Sequence, residues 1–214
     1  QEFGACVFDV TLDCEDGAPV GGERDHAFMV AALAKQAYDA TKLIATREPL
    51  RVAARVHAVD HPAFEQDVDI VVGGGAQALC HVMIPKVDSL AELERAVACI
   101  DHATSASHRA DLLPIHVLIE SPAGLQSCAD IVSHPRVQSA SFGLMDFVSA
   151  HNGAIPASAM GTSAHSLPED LDQFSHPLVL RAKLEIAATC HAFGKVASHC
   201  VVTEFKNTAL LEAA

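Results

Sequence analysis

The chain has 214 residues, half of them hydrophobic and 19% charged, enough for one sizeable core or two small ones. Its 27 acidic and 14 basic residues leave a formal charge of −13. That excludes a nucleic-acid partner, because too few cations are present to neutralise a phosphate track, whereas a small anionic ligand needs only a few. No apolar run approaches the roughly 18 residues that span a bilayer, so no membrane segment is expected, and no signal-peptide pattern opens the chain. Seven cysteines, at 6, 14, 80, 99, 128, 190 and 200, form no C-x-x-C pair. They read as reduced thiols of a cytoplasmic protein.

The first apolar run, Ala5–Leu12, reads as a strand, and Gln1–Asp9 already resembles the approach to one, so the start is expected to be a truncation. It ends in the acidic turn Asp13-Cys14-Glu15-Asp16-Gly17, whose carboxylates repel one another unless a cation is near. His26–Tyr38 is rich in helix formers. Val52–Val56 is the second strand, with Arg55 at its end. His57 and His61 have H-x-x-x-H spacing, but Pro62 follows at once and no third ligand is in view, so they read as two histidines. The run Gly73-Gly74-Gly75 lacks the Lys-Ser/Thr of a phosphate loop and reads as a flexible turn.

Leu79–Ile84 is the third strand, followed by Lys86. Ser89–Ala103 is a helix opening on a capping box of Ser89 and Glu92. Leu113–Ile119 contains the fourth strand, Ile115–Ile119, which ends at Glu120. Ser121 and Ser127 lack a G-x-S-x-G context, so no hydrolase elbow is expected. Ser139–Met145 contains the fifth strand, placed over Ala140–Met145, whose last position is followed by Asp146. Residues 149–175 show no periodicity and are expected to form a lid or subunit contact. Leu178–Phe193 is a helix stopping at Gly194, and Val196–Val202 is the sixth strand.

The polar residues that close the first five strands recur at intervals of 26 to 40 residues, the length of a strand–helix–strand repeat. That repeat predicts an α/β fold with a parallel sheet. An open Rossmann-like sheet and a closed barrel both fit. No G-x-G-x-x-G follows the first strand, and charged residues end five strands, so a (β/α)₈ TIM barrel is expected. A complete barrel takes about 250 residues. Residues 1–214 are therefore read as a single incomplete TIM-barrel domain with terminal elements missing.

A carboxylate at a buried strand end is costly unless a cation or donor meets it. Glu120 and Asp146, on neighbouring strands, thus point to a hard divalent metal. Arg55 and Lys86 are the natural counter-charges of the acidic turn. Arginine suits bidentate recognition of a carboxylate, and either cation could instead serve a structural ion pair.

Five segments occur in the order and spacing of one family: D-C-E-D-G at 13–17, R-V-H at 55–57, M-I-P-K-V at 83–87, I-E-S-P-A-G-L at 119–125 and F-G-L-M-D-F at 142–147. The chain resembles the citrate lyase β-subunit/malyl-CoA lyase group of the HpcH/HpaI aldolase superfamily, from its first strand to V-V-T-E-F at 201–205. The resemblance implies a Mg²⁺-dependent carbon–carbon lyase acting on a 3-hydroxyacyl-CoA such as citryl-CoA or malyl-CoA, giving acetyl-CoA and an oxo acid. It implies Glu120 and Asp146 as metal ligands and Arg55 as the residue that holds substrate and stabilises enolate charge. Glu15 and Asp16 match the acidic pair beside the metal, and Lys86 the strand-end lysine near them. It also implies a homo-oligomer, a trimer or hexamer.

His57 stands where members have Asn, and Cys14 where they have Leu. Two alternatives stay open: a CoA-independent, metal-dependent oxo-acid aldolase and a non-catalytic metabolite-binding barrel. The former group has a His after the first strand's acidic residue and R-x-P after the second, where this chain has Asp16 and His57.

Overall fold

The computed structural model describes residues 9–42, 50–105, 107, 109, 111–161, 171–202 and 208. Six strands, β1 (Val10–Asp13), β2 (Val52–Arg55), β3 (Leu79–Ile84), β4 (Ile115–Ile119), β5 (Val137–Phe142) and β6 (Val196–Ser198), form one parallel sheet. Their spatial order is their chain order. That order separates the two folds open at the sequence level. A doubly wound sheet reverses at a switch point and returns a later strand beside the first. Here every strand adds to the same edge, as the staves of a TIM barrel do.

The central strands β2, β3 and β4 are mostly apolar because both faces of the sheet are covered there, while β1 and β6 at the edges are more exposed. Ala54, Val82, Ile84, Val117, Ile119 and Ala140 are fully buried. Helix α1 (Glu23–Lys42) extends beyond the expected His26–Tyr38 at both ends. It buries Ala27, Val30 and Ala34, one stripe at helical spacing. After β2, a short helix α2 (Phe64–Asp67) passes into a π-helical stretch, Val68–Gly73. Gly74 keeps helical angles of φ −77° and ψ −27°, so the glycine run continues that helix instead of forming a turn.

Helix α3 (Leu90–Thr104) is capped by Ser89, whose Oγ accepts from Glu92 N at 3.3 Å. The reciprocal half of the expected capping box differs, because Glu92 Oε2 accepts from Asp88 N at 2.9 Å. Two short helices, α4 (Pro122–Gln126) and α5 (Cys128–Ser133), join β4 to β5. Helix α7 (Pro177–Ala192) starts on a proline and closes at Gly194, which takes φ +66°. Lys195 N then donates to Cys190 O at 2.7 Å, the left-handed closure glycine accommodates.

The fifth strand lies three residues earlier than expected. Gly143 N donates to Ile119 O at 3.0 Å and ends the ladder, and Phe147 N donates back to Gly143 O at 3.0 Å. Helix α6 (Leu144–Ala150) therefore starts at once, and Asp146 lies in its first turn, not at a strand's end. Residues 5–8 of the first expected strand, with Cys6, lie outside the described residues, as do 162–170 of the expected loop and 203–205 of the last matched segment. The described part of that loop is packed: it holds a 3₁₀ turn, Ala157–Met160, with Ile155 and Ala159 buried. The last strand covers only Val196–Ser198 of the expected Val196–Val202.

Candidate active site

Parallel strands bring the residues that follow them to one mouth of the barrel. At the end of β1, Asp13 folds the acidic turn on itself: Oδ1 accepts from Glu15 N and Oδ2 from Gly17 N, each at 3.0 Å. The register places Asp13 opposite Arg55. The Arg55 fork closes on it, Nε to Oδ1 and Nη2 to Oδ2, both 2.7 Å. Arg55 also donates from Nη2 to Asp16 Oδ2 at 3.1 Å. Its Nη1 stands 2.8 Å from Glu15 Oε2, but that oxygen has no aligned hydrogen bond, so the contact is purely an ion pair. Burial works against the Arg55 charge, and the hydrogen bonds and fields of Asp13, Glu15 and Asp16 overcome it, raising its pKa.

Asp13 is thus a member of the site to which the sequence assigned no role. It occupies the bidentate face of Arg55, so a ligand meets the arginine through its remaining Nη N–H and its charge.

Lys86 works through both its backbone and its side chain. It takes a left-handed φ of +52°, uncommon for a residue with a Cβ. Its N–H donates to Glu120 Oε1 at 2.7 Å. Its Nζ reaches Glu15 Oε1 at 2.6 Å and stands 4.0 Å from Asp146 Oδ1. Glu15, its side chain only 7% exposed, is bracketed by Arg55 and Lys86.

Glu120 directly follows β4 and is 4% exposed. Burial pushes its pKa up to about 7; Asp146 and Glu15 add to the rise, and the Lys86 N–H opposes it. Among the described residues Glu120 has no ion-pair partner within 4.0 Å. It shares with Asp146, Lys86, Asp88, Ser121 and Ser149 a cleft of about 350 Å³. The site therefore holds two carboxylates, the buried one without an ion-pair partner, that supply oxygen donors to one cleft, and this donor set fits a hard divalent cation. No third His, Cys, Asp or Glu closes on the pair among the described residues, which leaves coordination positions for water or a chelating ligand.

Ser121 and His57 have defined partners beside the site. Ser121 is committed structurally: its Oγ accepts from Gly124 N at 2.8 Å, capping α4, and donates to Asp88. His57 and His61 stack face to face with ring centroids 4.2 Å apart. The sequence did not reveal the partner of His57. Asp67, fully buried, accepts from His57 N at 3.0 Å and meets its Nδ1 at 2.6 Å, both at Oδ2. That pair pins the loop after β2.

The raised pKa of Glu120 has a measurable consequence. The folded protein holds this proton more tightly than the unfolded chain, so the stability linked to it is full below the unfolded value of 4.5. It is lost as pH rises through about 7. Glu120→Gln mimics the protonated form. Without divalent metal, the variant should melt with the parent near pH 4.5 and several degrees above it at pH 8. Thermal melts across that range check this, and a parent equal to the variant at pH 8 contradicts it.

A parallel barrel with acidic and basic side chains gathered at the C-terminal ends of its strands is the frame of TIM-barrel enzymes. Residues 6–211 match the HpcH/HpaI aldolase/citrate lyase family, and the chain belongs to that family, one of carbon–carbon lyases. It is 28% identical over 146 residues to the L-malyl-CoA/beta-methylmalyl-CoA lyase of Rhodobacter capsulatus, covering 67% of this chain and 45% of that protein. It is 31% identical over 145 residues to a citrate lyase subunit beta-like protein of Deinococcus radiodurans, covering 67% and 46%. The matches thus span about half the length of these relatives.

Among solved structures, a citrate lyase of Burkholderia xenovorans superposes with a TM-score of 0.82 at 39% identity, covering all of this chain and 61% of that one. The citrate lyase beta subunit of M. tuberculosis, solved with oxaloacetate and magnesium, shares the fold at a TM-score of 0.66 and 19% identity, covering 96% and 74%.

Proposed function

We propose that this protein is a Mg²⁺-dependent carbon–carbon lyase that cleaves or forms a 3-hydroxyacyl-CoA, such as citryl-CoA or malyl-CoA, with acetyl-CoA and an oxo acid as the other side of the reaction. The observation that carries the proposal is the Glu120–Asp146 pair, one member buried and, among the described residues, without an ion-pair partner, in a cleft lined by Lys86, which Glu15 links to Arg55. The names of the relatives support the substrate class, and the magnesium and oxaloacetate of the M. tuberculosis structure support the cofactor and product class.

Magnesium held by Glu120 and Asp146 supplies Lewis acidity toward an oxo-acid carbonyl. The chain's own residues supply the rest. Arg55, fixed by three carboxylates, presents a permanent positive charge where the enolate oxyanion develops, and a charge already aimed costs no reorganisation during the reaction. Lys86 adds a second cation and orients Glu120 through its N–H. Glu15, held between the two cations, positions them. Asp16, its side chain 68% exposed and paired with Arg55, is the more accessible acid–base group.

Residues 149–175 are taken in this reading as a lid or subunit contact of a single barrel domain; Ser149, in the last turn of α6, lines the cleft. A cytoplasmic location and a trimeric or hexameric assembly belong to the same reading. The described cysteines are free thiols, and no described helix is long and apolar enough to cross a membrane.

Asp146→Asn tests the metal's part. The variant should bind Mg²⁺ more weakly and regain part of its lost activity when Mg²⁺ is raised. Activity that is lost without any response to Mg²⁺ removes Asp146 from the metal.

A further inference from the structure

At the other end of the sheet, where the strands begin, Asp9 precedes β1 and meets Cys80 and His81 of β3. Three of their atoms form a compact triangle. Cys80 Sγ lies 3.4 Å from His81 Nδ1 and 3.9 Å from Asp9 Oδ2, and the latter two atoms are 3.6 Å apart. Zinc bonds sulfur at about 2.3 Å and nitrogen or oxygen at about 2.0–2.2 Å, so a tetrahedral ion holds its ligand atoms about 3.4–3.6 Å apart. The triangle is close to that size without any ion.

His81 is the buried member of the triangle. Its side chain is only 9% exposed, and its Nε2 is buried without a hydrogen-bond partner. At Nδ1 it meets only the thiol and a carboxylate oxygen beyond hydrogen-bonding distance. Nδ1 is held only by a weak thiol contact, so its lone pair is available to a cation that also takes the thiolate and the carboxylate.

The surroundings also suit coordination. Arg51 Nε donates to the other carboxylate oxygen, Asp9 Oδ1, at 2.5 Å, the kind of outer contact that orients metal-binding carboxylates. Its second contact, Nη2 to Oδ2, is longer at 3.2 Å and is the one an incoming cation displaces. Thiolate, imidazole and carboxylate together select zinc-like cations over magnesium.

We infer that Asp9, Cys80 and His81 form a second metal site, for zinc or a similar thiophilic divalent cation, tying β1 to β3 across β2 at the base of the barrel. Three protein ligands leave a fourth position for water. Binding to the folded state alone stabilises it by mass action.

Cobalt(II) is the probe, added to the full chain in excess Mg²⁺. One equivalent should give a thiolate-to-cobalt charge-transfer absorption that zinc abolishes by displacement. Cys80→Ser should remove that band. Asp9→Asn, at an exposed position, should weaken binding at least tenfold while the circular dichroism stays that of the parent. Glu120→Gln and Asp146→Asn should leave the band unchanged. No saturable band in the parent, a band that survives Cys80→Ser, or parental affinity in Asp9→Asn overturns the site. None of these results bears on the lyase reading.

Discussion

Replacing Arg55 by lysine should lower kcat on a cleavable thioester by about 10²–10³-fold, the range for removing one aimed oxyanion donor. Lysine keeps the charge but cannot reproduce the fork. In this protein the fork is what fixes the charge, through two 2.7 Å bonds to Asp13 and further contacts with Glu15 and Asp16. Without it Asp13 loses its partner, the 13–17 turn loosens, and the new ammonium is not held at one point. A stability loss of about 1–3 kcal/mol should accompany the kinetic effect, a range for hydrogen bonds to charged groups that partial exposure reduces. Steady-state kinetics and a thermal melt read the two effects separately. A variant as active as the parent on every cleaved thioester makes Arg55 purely structural.

Gly143→Ala should reduce Mg²⁺ affinity about 10–100-fold, the range for losing a contact that positions a ligand. A Cβ on Gly143 would overlap the Glu120 carboxylate and Cβ. The backbone there, φ −86° and ψ 87°, lies outside the left-handed region that favours glycine, so the effect is steric. To make room, Glu120 or the backbone beside it must shift, which disturbs the bond from the Lys86 N–H. Crowding of this kind also costs about 1–3 kcal/mol. Gly74→Ala is the control, because a Cβ there meets nothing within 4 Å. Calorimetric Mg²⁺ titration of the two variants decides the matter, and parental affinity in Gly143→Ala separates Glu120 from the metal.

Much of this site was legible in the sequence because a parallel barrel converts chain order into geometry. Arg55, Lys86 and Glu120 fall at or just beyond the ends of successive strands, and apolar runs of the right length marked those strands. The misplacement of Asp146 has a physical cause. S-A-S-F-G-L-M is continuous apolar text, and periodicity alone cannot separate a buried strand from a strand followed by a buried helical turn. The close approach of Glu120 forces a glycine at 143, and there the ladder stops.

Contacts across long sequence separations were hidden for a different reason. Arg55 was named as a counter-charge of the acidic turn, but that Asp13, 42 residues away, takes its fork depends on the strand register. Asp67 carried no local signal, although it holds His57. The left-handed Lys86, which gives Glu120 its hydrogen bond, is set by tertiary contacts, and its dipeptide Pro85-Lys86 does not announce it.

The most direct test is oxo-acid release from a panel of 3-hydroxyacyl-CoA thioesters, citryl-CoA, malyl-CoA and methylmalyl-CoA among them, with Mg²⁺ present and with Mg²⁺ chelated. A metal-dependent lyase of this kind cleaves at least one thioester, loses that activity on chelation and regains it when Mg²⁺ is restored. Cleavage of free hydroxy-oxo acids but of no thioester assigns the CoA-independent aldolase instead. No turnover of any substrate, or turnover untouched by chelation, contradicts a metal-dependent lyase at Glu120 and Asp146.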